Sequence, residues 1–421
     1  MKFDRYIERE KVPIENMLNQ NQAEGTAIPF SINSTEFISK PYPFYDKLRS
    51  VHPICKGRLL KYPGWYVTGY DEVLMILKDA RFENRIPLPQ TTKKYEQLKN
   101  IQNDMVLFKN QPDHMRLRRL ISNGFTSNAV EYFRPYISET VLDLLDSIKK
   151  RKEVDLVSEY VFPLASLIIA KILGVPAEER NQFRDLASSL IQTVDFTRSR
   201  EGLRTGNDSM IKASAYFNKL IEMRVLKPKD DLISLLSKEV TDGGKLTSEE
   251  LLSTCILLVI AGHETTVNLI SNSILTLLQH PEQLIKLKEE PELIKVAVEE
   301  FLRYESPTQL TARIASEDIE LEHTTIKKGE HVYLFLGAAN RDPNKFNHAH
   351  MLDITRNPNP HLAFGNGPHF CLGASLARIE AQIAIQGLLQ QLPNFRLATD
   401  DWQWRKLIGF RSLKELYVVF E

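Results

Sequence analysis

Cysteine is scarce in this 421-residue chain: Cys55, Cys255 and Cys371 are the only three, and no two stand as CxxC. A disulfide framework and a Cys-rich zinc site are both poorly supported, and a reducing compartment is expected. Net charge is missing as well, since 54 Lys+Arg balance 54 Asp+Glu. No global field draws the chain to nucleic acid or anionic lipid, so a charge-driven partner must meet a local patch. Apolar runs are short, Cys255–Ala261 being typical, against the roughly 20 residues of a spanning helix. No membrane anchor is expected. Residues 1–22 mix charges and have no apolar h-region, so they do not read as a secretory signal, and a cytoplasmic location is expected. A fixed-period repeat and a Gly/Ser linker are also lacking. Residues 1–30 read as a polar N-terminal extension and 31–421 as one domain.

What the chain does have is helical periodicity. Apolar positions recur at three- and four-residue spacing over 44–51, 71–79, 115–122, 129–149, 155–173, 180–194, 208–225, 248–280, 282–288, 291–304 and 373–391. Strand-like runs are few: 65–68, 319–321, 331–336 and 416–420. The fold class is mainly α with minor β-sheets, in a domain large enough for a deep cofactor cavity.

Cys371 carries the most information. It stands in HLAFGNGPHFCLGASLARIEAQIAI, with Gly365, Gly367 and Gly373 around it and an apolar-periodic helix directly after. Unpaired N–H groups and the positive dipole end at a helix N-terminus favour a thiolate. Glycines there admit close backbone amides and a flat cofactor. An ordinary buried thiol and a nucleophile paired with His369 remain open beside a cofactor ligand.

Phe364-Gly365-x-Gly367-x-His369-x-Cys371-x-Gly373 resembles the cysteine-ligand signature of the cytochrome P450 family. The resemblance implies that fold, in a single haem-containing domain, with haem b as cofactor and dioxygen as co-substrate. Cys371 becomes the axial iron ligand, whose thiolate favours O–O cleavage, and Phe364, Gly365 and Gly373 become haem contacts. The polar cluster Ala261-Gly262-His263-Glu264-Thr265-Thr266 interrupts an apolar helix and is similar to the family's Ala/Gly-Gly-x-Asp/Glu-Thr motif. That likeness makes Glu264 and Thr265 a proton relay to dioxygen and puts Ala261 and Gly262 beside the haem; a polar kink facing solvent is the alternative. His263 fills the variable position as a packing residue.

Glu300 and Arg303 at i, i+3 would ordinarily be a weak surface pair. Their placement resembles the family's ExxR element, with Arg356 as third member, structural and not catalytic. His114 and Arg118 share a helix face, and the resemblance assigns them, with Arg313 and His369, to the haem propionates. Tyr304 and Arg341 are further candidates for the haem edge.

The chain ends soon after the haem helix, so electrons are expected from a separate ferredoxin or flavodoxin with its reductase. Arg116 and Arg119 offer a basic docking spot or a plain solvated face. The segments that line the pocket by resemblance, 84–108, 185–212, 254–265, 306–313 and 408–410, contain Met105, Val106, Leu107, Phe108, Leu190, Leu257, Ile260, Leu310 and Phe410. A hydrophobic substrate is implied. Segments such as SLIQTVDFTRSR and FLRYESPTQLTAR resemble the family's biotin-biosynthesis branch, which cleaves the acyl chain of an acyl-carrier-protein thioester to a pimeloyl product. A fatty acyl substrate, free or carrier-bound, is the expectation. Residues 196–230 hold Arg198, Arg200, Arg204, Lys212, Lys219, Arg224, Lys227 and Lys229 against four acids, an expected docking face for an acidic carrier. Hydroxylation of a terpenoid, steroid or polyketide, and a non-catalytic haem sensor, are the alternatives.

Overall fold

The apolar periodicity is realised in helices α1 (Thr35–Ser39), α2 (Tyr42–Val51), α3 (Tyr70–Lys78), α4 (Glu96–Asp104), α5 (Asp113–Ser122), α6 (Ser127–Ile148), α7 (Phe162–Leu173), α8 (Arg180–Leu190), α9 (Arg200–Leu226), α10 (Leu232–Thr241), α11 (Ser248–Gln279), α12 (Pro281–Glu289), α13 (Ile294–Tyr304), α14 (Leu336–Ala339) and α15 (Ala374–Gln391). The computed structural model describes residues 31–60, 62–85, 95–190, 193, 200–241, 244–322, 324–392 and 394–420. The expected extension at 1–30, Arg198 and parts of the pocket segments 84–108 and 185–212 lie outside the described residues.

Strands β1 (Ile54–Gly57), β2 (Gly64–Val67), β3 (Phe82–Glu83), β5 (Leu310–Ala315) and β8 (His331–Phe335) form one sheet in the order β1-β2-β8-β5-β3. Only β2 and β8 pair in parallel, with Gly64 opposite His331. A second sheet joins β4 (Glu153–Asp155), β10 (Tyr417–Phe420) and β9 (Phe395–Leu397), and β6 (Ile319–Leu321) pairs with β7 (Thr324–Ile326). The small sheets sit beside a helical core.

The core is organised around α11. A capping box starts it: Glu250 N–H donates to Thr247 Oγ1 at 3.1 Å, and Thr247 N–H donates to Glu250 Oε2 at 3.0 Å. Every residue from Leu251 to Ile260 is then buried, and all but Ser253 and Thr254 join one apolar cluster with residues of α6, α7, α13 and α15. A helix that is apolar all round must be enclosed by others. By length and apolarity α11 could cross a membrane, yet 78% of its apolar window is covered by protein.

The expected helix over 155–173 begins later. The Asp155 carboxylate accepts the N–H groups of Val157, Ser158 and Leu416, tying the chain to β10 before a π-turn at Val157–Val161 leads into α7. Strand β5, α4 and α10 were not expected. In β5 Leu310, Ala312 and Ile314 alternate with Thr311 and Arg313, the pattern that marks a strand, and Arg313 is 6% exposed.

Glu300 and Arg303 on α13 are not a surface pair. Both side chains are 0% exposed, and Arg303 donates to the two Glu300 oxygens at 2.8 Å each. Arg303 also donates to the carbonyls of Asn340, Ala349 and Met351, while Arg356 Nε reaches Glu300 Oε2 at 3.1 Å. Asp353 N–H and Asn359 Nδ2 add two more donors to the same carboxylate. One helix thereby pins the 340–359 connection that leads to the cysteine loop. Breaking a buried pair by removing one partner costs about 3–5 kcal/mol. Glu300→Ala is expected to lose stability on that scale in denaturant unfolding; a loss under about 1 kcal/mol, the scale of an exposed pair, would contradict the burial argument.

Candidate functional site

The cysteine loop is folded by its own backbone. Gly365 N–H donates to the Leu362 carbonyl at 2.8 Å, Cys371 N–H to the Phe364 carbonyl at 2.9 Å, and Phe370 N–H to the Gly367 carbonyl at 3.1 Å. Gly367 has φ 71°, and a Cβ there would stand 2.5 Å from the Leu77 carbonyl oxygen of α3, so glycine is required twice over. At Gly373 a Cβ would meet nothing within 4 Å. The loop therefore presents open space just where the chain passes from Cys371 into α15.

Burial pushes the Cys371 thiol up, opposed by the Gly373 N–H and by the Arg118 and Arg378 cations. A bound metal cation would deprotonate such a sulfur outright. Arg378 was not foreseen. Its guanidinium lies 4.6 Å from the Phe364 ring and donates to both oxygens of Glu299 at 2.7 and 2.8 Å, and Glu299 also meets His361 Nε2 at 3.1 Å. These partners hold Glu299 down at about 2 against the opposing effect of burial. Adjacent carboxylates on α13 thus serve two loops. A basic residue two turns into a helix that follows a cysteine was the available signal.

Around Cys371 the structure gathers the four side chains assigned to propionates. The His114 and His369 rings are 3.9 Å apart, centroid to centroid. Arg118 interacts with both His114 and Cys371, and Arg313 with His369. Burial lowers Arg313 to about 10, and its donated hydrogen bonds reach only Thr311 Oγ1 and the Ala312 carbonyl. Burial, with His114, Arg313 and Arg118, pushes His369 down to about 3. His114 Nδ1 is buried without a partner. No carboxylate acts on these four groups among the described residues. Buried cations and donors facing no anion are costly, and a flat dianion ligated by the nearby sulfur answers each of them.

On α11 the helix runs unbroken through Ala261–Thr266. Ala261 is exposed although the ten residues before it are buried, so this face opens onto a space. Thr265, one turn on, donates Oγ1 to the Ala261 carbonyl at 2.6 Å. Gly262 faces α7, where a Cβ would stand 3.2 Å from Ile169 Cδ1; close helix packing is its immediate reason. Glu264 does not join Thr265. Its Oε1 accepts from Arg405 Nη1 at 2.9 Å and Ser412 Oγ at 2.8 Å, both from the C-terminal segment. His263 packs as expected, Nε2 at 2.8 Å from Ser166 Oγ and its ring against Phe162.

Met105, Leu190, Leu257 and Ile260 are buried in one apolar cluster, with Val106 and Phe108 half-buried against it. Leu107 is 41% exposed and stands apart from them. Leu310 belongs to a second cluster with Tyr42 and Tyr45, and Phe410 is half-buried beside Phe37 and Tyr45. Tyr304 and Arg341 stack on each other, the guanidinium 3.7 Å from that ring and 3.6 Å from Tyr42, and Arg341 donates to the Tyr304 carbonyl.

The two basic faces are smaller than the sequence implied. Arg116 pairs with Glu250 at 2.5 Å, leaving Arg119 exposed. In α9, Arg224 is buried against Asp231 and Arg204 pairs with Glu201. Lys212, Lys219, Lys227 and Lys229 remain exposed, the first two lining a cleft of about 520 Å³ between α8 and α9.

The cytochrome P450 family model matches residues 23–408. The chain is 60% identical over 394 residues to the biotin biosynthesis cytochrome P450 of Bacillus subtilis (strain 168), spanning 94% of this chain and 100% of that one. It is 39% identical over 404 residues to the polyketide biosynthesis cytochrome P450 PksS of the same organism, spanning 92% and 98%. The crystal structure of P450BioI in complex with hexadec-9Z-enoic acid ligated acyl carrier protein matches with a TM-score of 0.89 at 60% identity, over 92% of this chain and 100% of that chain. The chain belongs to the cytochrome P450 family and is a monooxygenase that uses haem b and dioxygen.

Proposed function

We propose that this monooxygenase oxidises a fatty acyl chain, free or as an acyl-carrier-protein thioester, and carries the oxidation through C–C cleavage to a pimeloyl product for biotin biosynthesis. The 60% identity spanning all of the biotin biosynthesis relative carries this reading. The apolar wall of Met105, Leu190, Leu257 and Ile260 supports it, since hydrocarbon fills such a surface without leaving polar groups unpaired.

Haem, when bound, supplies dioxygen activation. Residues 31–421 form its domain, and the chain's own groups set its place. Cys371 would hold the haem iron through its sulfur, which the Gly373 N–H and Arg118 steady. Arg118 and Arg313 would pair with the two propionates, and His114 and His369 would donate ring N–H groups to them. Phe364, Gly365 and Gly373 would support the haem from the cysteine loop, and Ala261 and Gly262 would bound its space from α11. Thr265 holds a hydroxyl on the open face of α11 and hands on a proton at Oγ1.

Electrons come from a separate ferredoxin or flavodoxin with its reductase, docking where Arg119 is exposed. An acidic carrier protein docks by Lys212, Lys219, Lys227 and Lys229. The work is cytoplasmic, where Cys55 and Cys255 stay free thiols.

Removing Arg313 as Arg313→Leu, together with His114→Leu, is expected to speed haem loss by about tenfold or more, since each leaves a carboxylate short of a donor. Haem transfer to an apoprotein acceptor measures it; an unchanged rate would remove these residues from the propionate site. The function is tested by optical titration of the ferric protein with hexadecenoyl-carrier protein, free hexadecenoic acid, a terpenoid and a polyketide. The spin-state change is expected to saturate at the lowest concentration with an acyl species. A terpenoid or polyketide saturating about tenfold lower, a gap of about 1.4 kcal/mol, would contradict the acyl reading.

A further inference from the structure

Arg378 stands in the second turn of α15, beyond the loop that carries Cys371. Its guanidinium fork is matched by one carboxylate: Nε donates to Glu299 Oε1 at 2.7 Å and Nη2 to Glu299 Oε2 at 2.8 Å. Glu299 is held in turn by His361. The Ala363 N–H donates to His361 Nδ1 at 3.2 Å, so the ring proton is on Nε2 and donates to Glu299 Oε2, 3.1 Å away. The His361 side chain is 4% exposed, and packing fixes it there. Arg378 also lies 4.6 Å from the Phe364 ring, and the Phe364 carbonyl accepts the Cys371 N–H at 2.9 Å. One guanidinium thereby joins His361 and Phe364 of the cysteine loop to α13.

The pair is not symmetric about the sulfur. Arg378 is among the groups that act on Cys371, with the Gly373 N–H and Arg118, and Glu299 is not. The positive end of the pair is therefore the end that Cys371 meets. Arg118 is the other cation, but a propionate would take up its charge in the haem-bound protein, whereas Arg378 has no place in the propionate set. An electron delivered to the iron adds one negative charge beside the sulfur. A cation there stabilises the reduced state more than the oxidised one, and it draws electron density from the sulfur, which acts in the same direction. The Arg378 and Glu299 side chains are 30% and 27% exposed, so water screens the effect and keeps it modest.

We propose that Arg378 sets the reduction potential of the haem iron through Cys371: Glu299 and His361 are positioning residues that hold its charge toward the sulfur, and that charge eases electron uptake. This rests on Cys371 as the iron ligand proposed above. One electron leaves the ferredoxin or flavodoxin and reduces ferric iron to ferrous, and no bond among the three side chains breaks.

The test is a spectroelectrochemical titration of the haem-loaded protein as Arg378→Gln, Arg378→Lys and Glu299→Gln. Arg378→Gln is expected to lower the ferrous-to-ferric ratio at a fixed potential about threefold, a downward shift of about 28 mV at about 59 mV per tenfold change. Arg378→Lys keeps a cation at that position and is expected to recover more than half of the shift. Glu299→Gln keeps an oxygen for Arg378 to bond but removes the opposing charge, so the ratio is expected to rise. A purely structural role would move all three variants in one direction. An unshifted potential in Arg378→Gln would overturn the inference, as would equal shifts in Arg378→Gln and Arg378→Lys. If Arg378→Gln does not retain haem, Glu299→Gln decides, and an unchanged or lowered ratio there overturns the inference. A carbon monoxide spectrum of the unsubstituted protein without the thiolate-type band would contradict the ligation itself; that band present with the potentials unmoved would contradict the tuning alone.

Discussion

Burying cations without anions is the constraint around which this protein is built. Arg118 and Arg313, with His114 and His369 beside them, converge near a buried sulfur, and no side-chain carboxylate among the described residues answers them. Left so, the arrangement costs several kcal/mol per uncompensated charge. A cofactor that brings two carboxylates and a thiolate-binding metal turns the same cost into binding energy. Folding and cofactor uptake are therefore coupled, because any group that binds only the folded state stabilises it.

The surrounding fold serves to keep that site from collapsing. Helix α13 places two adjacent carboxylates back to back, with Glu300 gathering Arg303, Arg356 and the 340–359 connection. Glu299 gathers His361 and Arg378 on either side of the cysteine loop. Helix α11 contributes the opposite wall, where Ala261 and Thr265 look out and Glu264 turns away to the C-terminal hairpin.

Much of this was legible from residue order. The Phe364–Gly373 loop, the polar cluster within Ala261–Thr266 and the long α11 are local patterns, dictated by backbone sterics and helical period. The pairing of Glu300 with Arg303 was visible, but spacing alone suggests a weak exposed pair, and only tertiary packing made it the most buried ion pair of the core. Glu264 was legible as a costly buried acid, whereas its partners Arg405 and Ser412 lie 141 and 148 residues away, beyond any local signal. Strand β5 was missed although Leu310, Ala312 and Ile314 alternate with Thr311 and Arg313, because the polar residues in so short a run also read as loop. Basic residues of α9 were countable, yet Arg224 and Arg204 spend their charge on Asp231 and Glu201, which composition does not reveal.

The central claim is that Cys371 ligates haem iron through sulfur at the mouth of α15. The carbon monoxide difference spectrum of the reduced protein, recorded beside that of Cys371→Ser, tests it most directly. The account predicts the thiolate-type band for the unsubstituted protein and its complete absence in Cys371→Ser, with haem still bound by Arg118, Arg313, His114 and His369. Persistence of that band in Cys371→Ser would contradict it.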